Sequence, residues 1–506
     1  MKYTGKQIID ILLENNLLAE ADAAFLTHSF SDLSYNSLET KMDDLFVCKG
    51  RHFQEDYLLE AENRGAVGYL SEKRYTCELP MIKVNDAGRA LALLSARFCA
   101  MPQEKLKVFG VTGTNGKTTT VHYLASILEE TVGNRPGYTS TIDSYNGKNS
   151  VVSYLTTPEA PVTYHMMKNT VEEGIPCYIC ECSSQAQKMQ RLFGLEFDYG
   201  IFLNISDDHY SDTEHRDFNE YFADKLAIVK QYKNAVINYD DPHRDKVLAA
   251  AGNAKKILTF SASGNRNADI YAETIECTED TVRFTIVSPS WQQRVTTKLP
   301  GLFNVENALA AAGAAYLYGA SGEQIARGIL QTYVEGRMML IQNTGFTVVV
   351  DYAHNGESVI QLLTSVKQLF PDKKIKFLYG CTGDTGIQRR RDVTFAAAPF
   401  CSFLYITTDD PQSMDPEVII RDLLQFVQET NCPYEVVTDR SLCVEKAVRD
   451  LKKEEVLVIA AKGCERYIKV QGKRIPYEGD DRISERVLLK NENVIRKSLS
   501  ERREIK

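Results

Sequence analysis

No run of apolar residues in this 506-residue chain is long enough to cross a bilayer. The opening MKYTGKQIIDILLENNLL sets charges among its apolar residues at helical spacing, unlike the unbroken apolar core of a signal peptide. These two absences point to a cytoplasmic protein with no membrane partner. Basic clusters are missing too: Lys and Arg number 59 against 68 Asp and Glu, a formal net charge of −9, and no stretch concentrates cations, so no nucleic-acid surface is expected. Internal repeats and low-complexity segments are absent. The 12 cysteines are scattered through a chain without an export signal, which reads as reduced thiols rather than a disulfide framework. The one dense group, Cys177, Cys180 and Cys182 in CYICEC, lacks the second group with which zinc sites normally pair it. Strand alternation would send Cys177 and Cys180 to opposite faces of a sheet, so packing is expected there rather than metal binding.

What is present suggests three α/β domains, at about 150 residues per domain. Residues 1–104 alternate short apolar runs (LFVCKG, AVGYLSE, PMIKVND) with helical patterns such as RALALLSARFCA, as a small N-terminal domain would. MPQEKL reads as a linker. Residues 105–336 run from a strand through a glycine-rich loop into a helix, followed by strands at PCYICEC, DYGIFLN and NAVINYD, which predicts a central domain built on a mainly parallel sheet. Residues 337–506 form a further block, Rossmann-like, with strands at FTVVVDY, KIKFLYG, SFLYITT and EVLVIAA.

The most informative segment is LKVFGV-TGTNGKTTT-VHYLASIL. An apolar strand enters Gly113, Thr114, Asn115 and Gly116, and Lys117, Thr118 and Thr119 open a helix. Glycines let the loop curl so that its N–H groups and the helix N-terminus face a phosphate. Lys117 can reach the β- and γ-phosphates of ATP, and the Thr118 hydroxyl can hold Mg²⁺. Val111 stands where the general P-loop pattern has its first glycine.

TGTNGKTT is the form of this loop found in Mur ligases and their folylpolyglutamate synthetase relatives, and nearly the whole chain resembles the Mur ligases that add the third residue of a peptidoglycan peptide stem. The resemblance implies the following roles. Thr156, Thr157 and Pro158 match the motif that contacts a UDP-muramoyl dipeptide, and Ser183 and Arg191 join it, with Ser184 completing the matching S-S pair. Glu181 in ECSSQA is a magnesium ligand, and a carboxylate beyond a strand end suits a hard cation; taken alone it would pass for a surface charge. Asn204, Asp208 and His209 in FLNISDDH match a motif whose histidine serves a second Mg²⁺. Lys225 in EYFADK falls where family members carry a carbamylated lysine, although by itself it would read as a solvated helix lysine. Asn238, Asp240 and Asp241, then Gly301, Phe303, Asn304 and Asn307, match further central motifs, with Asn304 expected near adenine. Arg337 and the run Asp351, Tyr352, Ala353, His354 complete the ATP site across a hinge near residues 335–338. Met339, Asn355, Gln185 and Cys464 depart from the usual Glu, Thr, His and His.

The implied reaction is ATP-dependent. A D-glutamyl carboxylate of UDP-N-acetylmuramoyl-L-alanyl-D-glutamate becomes an acyl phosphate, and the incoming amine displaces phosphate. Lys117 and two Mg²⁺ would supply the cations that such a meeting of anions requires, with no covalent enzyme intermediate. Relatives adding diaminopimelate carry D-N-P-R; this chain has Asp409, Asp410, Pro411 and Gln412, and glutamine cannot form the bidentate charged pair an arginine makes. Asp409 and Asp410 favour a terminal ammonium, Glu465 a second polar group, and L-lysine is the expected amino acid, with ornithine or another left open. Asn36 and Leu38 depart from the lysine-adding pattern in the N-terminal domain. Arg389, Arg390 and Arg391 are candidates for gripping a carboxylate. A monomer is expected. The rival readings are a folylpolyglutamate-type or other amide ligase, and a paralogue that binds nucleotide or muropeptide without turnover.

Overall fold

A computed structural model describes residues 2–50, 53–206, 215–343 and 345–489. Among these, three large sheets of five, eleven and six strands follow one another along the chain.

The first sheet places Leu18–Ala21, Met81–Val84, Gly68–Ser71, Asp44–Val47 and Asp32–Ser34 in that spatial order. Helices Gly5–Glu14 and Ala87–Phe98 cover one face. Each begins at a side chain that accepts an orphan N–H of the first turn: Thr4 with Gln7 in a reciprocal box, and Asp86 towards Arg89. Ile8, Leu12, Leu91 and Leu94 fill the core they share with Phe25 and Phe30.

In the second sheet the P-loop strand Lys107–Thr112 lies between Cys177–Glu181 and Tyr199–Phe202, all parallel. The alternation expected at CYICEC holds. Cys177 and Ile179 enter the core beneath helices Lys117–Val132 and Phe303–Tyr318, while Tyr178, Cys180 and Cys182 enter the opposite one, beneath Ala160–Glu172 and Phe218–Val229. Strands Lys256–Ser261, Ile270–Cys277, Val282–Val287 and Gln292–Thr297 carry this sheet beyond the strands expected from the sequence, the last two antiparallel. The alanine-rich helix Phe303–Tyr318 lies close on the sheet. A methyl group at Gly313 would come within 2.9 Å of Val236.

The third sheet is parallel except at the edge strand Met339–Asn343. Asp351, Gly380, Thr407 and Ala460 each follow directly on the carboxyl end of one of its parallel strands, where ligands gather in open α/β sheets. A separate hairpin, Tyr467–Val470 with Lys473–Pro476, joins this unit through a bridge between Gln412 and Val470.

Candidate active site

Strand ends of the second and third sheets wall one cleft of about 330 Å³, and a recess of about 210 Å³ adjoins it. The cleft is lined by residues 114–119 of the P-loop, Glu181, Arg337, residues 351–354, Asp409, Asp410, Gln412 and Glu465, brought together from positions as far apart in sequence as 114 and 465. The recess is lined by Thr156, Thr157, Ser183, Arg191 and Lys225.

The loop turns on Gly116, whose φ of +85° is left-handed and whose missing Cβ would lie 2.1 Å from Asn307 Oδ1, so only glycine fits there. Lys117 folds back over the loop and donates to the carbonyls of Gly113 and Thr114 at 3.0 and 2.9 Å. Lys225 is buried and donates to the same Gly113 carbonyl at 2.6 Å, with its ammonium 4.7 Å from the Tyr221 ring centre. Two ammonium groups therefore converge on the loop, and Lys225 is not a solvated helix lysine.

Glu181 is equally far from a surface charge. It is buried and accepts from the Thr118 hydroxyl at 3.1 and 3.2 Å, from Thr141 N–H at 2.8 Å and from the Thr141 hydroxyl at 3.0 Å. Burial pushes its carboxyl above the ordinary range, opposed first by Lys117, then by the Thr141 N–H and Arg337. The Thr141 hydroxyl also lies 3.1 Å from that of Thr156, and Thr157 donates to the Glu181 carbonyl at 2.7 Å, so the TTP segment is fastened to the same strand end. Ser183 caps the helix Ser184–Lys188. Arg191 pairs with Glu159 at 2.8 Å and donates to the Thr157 carbonyl at 3.1 Å. Lys49 of the first unit reaches Glu159 at 2.7 Å, a junction the sequence did not reveal.

Across the cleft, Arg337 lies over the Tyr352 ring at 4.5 Å and donates to the Thr118 hydroxyl at 3.4 Å. Asp351 is buried and accepts N–H groups of Met338 and Ala353 at 2.6 and 2.7 Å, and burial raises its carboxyl. His354 faces the cleft, with Nδ1 2.8 Å from the Tyr352 carbonyl. Asn355 keeps a capping role in place of threonine: it opens helix Gly356–Leu369 and reaches Asn115 of the P-loop at 3.3 Å. Met339 and Cys464, two departures from the family pattern, touch each other, sulfur to sulfur, at 3.9 Å. Gln185 lines both cavities.

Several expected residues serve the frame. The Asn304 side chain is buried, donating to the Pro300 carbonyl at 2.7 Å and accepting from Asn307 at 3.2 Å, so Phe303, Glu306 and Asn307 line the cleft there instead. Asn238 donates to the Leu203 carbonyl at 2.8 Å, Asp240 accepts from Ser261 and Ser263, and Asp241 from the Ile205 and His243 N–H groups. Arg390 is buried on Asp422 and the Gly383 carbonyl, Arg391 stacks on Phe395, and only Arg389 of the three lines the cleft. Asp208 and His209 lie outside the described residues.

The acidic corner holds a surprise. Lys462, fully buried, is 2.8 Å from Asp410, 2.5 Å from Glu465 and 3.6 Å from Asp409, and Lys469 approaches Asp410 at 3.5 Å. Three carboxylates thus face two ammonium groups. Burial pushes the Asp409 carboxyl up to about 6 against the pull of Lys462. Asp410 Oδ1 also accepts the Lys469 N–H at 2.9 Å, and Glu465 Oε1 accepts from the Tyr352 and Tyr467 hydroxyls at 3.4 and 3.5 Å; all three carboxylates line the cleft. A single lysine closing the apolar run EVLVIAA was the available sequence signal.

Comparison with known proteins agrees with this geometry. Residues 111–315 match the Mur ligase middle domain and residues 336–463 the Mur ligase, glutamate ligase domain. The chain is 37% identical over 461 residues to the UDP-N-acetylmuramoyl-L-alanyl-D-glutamate–L-lysine ligase of Enterococcus faecalis, covering 90% of each protein. It is 34% identical to the ligase of the same name from Streptococcus pneumoniae serotype 4, over 95% of this chain and 99% of that one. A solved UDP-N-acetylmuramoyl-L-alanyl-D-glutamate–2,6-diaminopimelate ligase superposes with a TM-score of 0.64 at 25% identity, over 97% of this chain and 100% of that one. With a P-loop, a buried carboxylate beside it and this similarity over almost its full length, the chain belongs to the Mur ligase family of ATP-dependent ligases.

Proposed function

We propose that the protein joins L-lysine to the D-glutamyl carboxylate of UDP-N-acetylmuramoyl-L-alanyl-D-glutamate, using ATP, as a cytoplasmic step of peptidoglycan precursor synthesis. The observation that carries this reading is the continuity of one cleft from the P-loop to the Asp409–Glu465 corner, in a chain whose relatives are named as lysine ligases. Residues 1–104 would hold the uridine end of the substrate, 105–336 the ATP and 337–506 the amino acid.

The first step joins the substrate carboxylate to the γ-phosphorus of ATP and releases ADP; in the second, the amine attacks the acyl carbon and phosphate leaves. Lys117, on the Gly113 carbonyl, brings positive charge to the P-loop, and the first turn of helix Lys117–Val132 offers its N–H groups to the phosphates. Arg337 adds a second cation from the opposite wall. Its bond to Thr118 and that of Asn355 to Asn115 draw the third unit over the loop, which would keep water from an acyl phosphate.

Glu181 with Thr118 is a set of hard oxygens beside the P-loop lysine, and it suits Mg²⁺. A carbamate on Lys225 would keep one N–H for Gly113 while adding two oxygens, so that group fits as well, and His209 would join them. When bound, the two metal ions would neutralise charge on the phosphates.

Asp409, Asp410 and Glu465 form the acidic corner that would receive the side-chain ammonium of lysine, and Arg389, which also lines the cleft, would meet its carboxylate. The test is phosphate release with the UDP-muramoyl dipeptide against a panel of amino acids, with product masses read in parallel. Release that requires both the dipeptide and an amino acid, fastest with lysine, is expected. No turnover with any amino acid would leave a binding protein, and turnover with a folate acceptor instead would reassign the substrate.

A further inference from the structure

The first turn of helix Phe303–Tyr318 meets the phosphate loop at two points. Asn307 fills the space beside Gly116 and accepts from Thr120 at 3.4 Å. The second contact runs from Glu306 through Asn204, which lies just beyond strand Tyr199–Phe202. Asn204 Oδ1 accepts the N–H groups of Thr114 and Asn115 at 3.1 and 2.9 Å, and its main-chain carbonyl accepts Thr114 again at 2.9 Å. An amide whose oxygen is held by two donors turns its NH₂ the other way. There Nδ2 donates to Glu306 Oε1 at 2.9 Å.

We infer that Glu306 is a positioning residue for the phosphate loop. Its acceptor oxygen locks Asn204 in the orientation that brackets Thr114 and Asn115. The helix-opening N–H groups from Lys117 onward are then left for phosphate. This inference rests on the reading of the cleft as an ATP site. A carboxylate could also act there through its charge, but the surroundings oppose a standing anion. Burial, then Asp240, Glu357 and Asp241, push the Glu306 carboxyl up to about 7, with the Asn204 bond pulling the other way. An oxygen acceptor is what the arrangement needs, and either protonation state supplies one.

The experiment compares Glu306→Leu, Glu306→Gln and Asn204→Asp with the wild-type protein. Equilibrium binding of ATP with Mg²⁺, KM for ATP and for lysine, kcat and Tm are measured. Glu306→Leu should raise Kd and KM for ATP roughly tenfold, the weight of one lost bracing hydrogen bond, while KM for lysine stays put. Glu306→Gln keeps the acceptor and should return ATP binding to within about twofold of wild type. Asn204→Asp, which offers Glu306 no N–H, should show the same loss confined to ATP, and stands in if the leucine variant fails to fold. Equal losses in Glu306→Gln and Glu306→Leu would make charge the operative property and overturn the inference, as would undiminished ATP affinity in Glu306→Leu and Asn204→Asp. A wild-type protein that binds no ATP would instead undo the functional reading beneath it.

Discussion

Replacing Lys462 with methionine keeps the length of the side chain and removes the ammonium that three carboxylates share. Lys462 is fully buried, with Asp410 at 2.8 Å, Glu465 at 2.5 Å and Asp409 at 3.6 Å. The variant would leave those carboxylates with Lys469 beside Asp410 and the weaker pull of Arg440 on Asp409, and breaking a buried pair in this way costs about 3–5 kcal/mol. The dependence on pH has a definite sign. Burial already raises the Asp409 carboxyl from 3.8 to about 6 in the folded protein. A group raised by folding contributes its full stability below its unfolded pKa and loses it as pH rises through the folded value, here between about 4 and 6. That shift corresponds to roughly 3 kcal/mol against folding at neutral pH. Without Lys462 the carboxyl groups rise further, so the deficit should be largest near pH 8 and shrink at pH 5, where protonation relieves the repulsion. The assay is urea unfolding at each pH, read by a hydrogen-exchange pulse at one fixed pH in strand Glu455–Ile459. A deficit of about 3–5 kcal/mol at pH 8 falling below about 2 at pH 5 is expected. The same deficit at both pH values, or less than about 1 kcal/mol at pH 8, would refute the charge argument.

Lys117→Ala should abolish ATP turnover with little change in Tm, because the ammonium caps its own loop rather than filling a core; phosphate release above about a tenth of wild type would contradict a clamp of several kcal/mol. Lys225 should carry a carbamate, read as a bicarbonate-derived ¹³C signal on its side chain, and Lys225→Ala should be nearly inactive and partly restored by a small carboxylate. An unmodified lysine together with an active alanine variant would rule that out. Gln412→Arg should improve the use of meso-diaminopimelate relative to lysine, since Gln412 lines the cleft beside Asp409 and Asp410; an unchanged ratio of kcat/KM values would mean that this side chain does not read the far end of the substrate.

The parts of the site that were legible in the sequence are those whose chemistry is local. The P-loop needs a strand, a glycine with positive φ and a lysine at a helix start, all within about ten residues, and TGTNGKTTT shows each of them. Glu181 and Lys225 were legible only through their resemblance to family motifs, because burial comes from neighbours remote in the chain. Asn304 shows the limit of that route: the motif marks it, yet its side chain holds the Pro300 carbonyl, and its neighbour Glu306 faces the cleft. Lys462 was not legible for the same reason. A lysine after a buried strand says nothing of the three carboxylates that meet it from residues 409, 410 and 465. The added strands from Lys256 to Thr297 were a different omission. IYAETIEC and VRFTIV alternate in the sequence as half-buried antiparallel strands do, unlike the continuous apolar runs of the parallel strands beside them.

Under the proposed function, the acidic corner without an arginine at position 412 would select an amino acid ending in an ammonium. Diaminopimelate would bring a second carboxylate to Asp409 and Glu465, and burying it unpaired costs several kcal/mol, enough for a preference on the order of a hundredfold. The direct measurement is kcat/KM for L-lysine and for meso-diaminopimelate, with the UDP-muramoyl dipeptide and ATP saturating. The account predicts a ratio of about a hundred or more in favour of lysine; equal values, or a preference for diaminopimelate, would contradict it and point to Arg389 as the cation that accepts the far carboxylate.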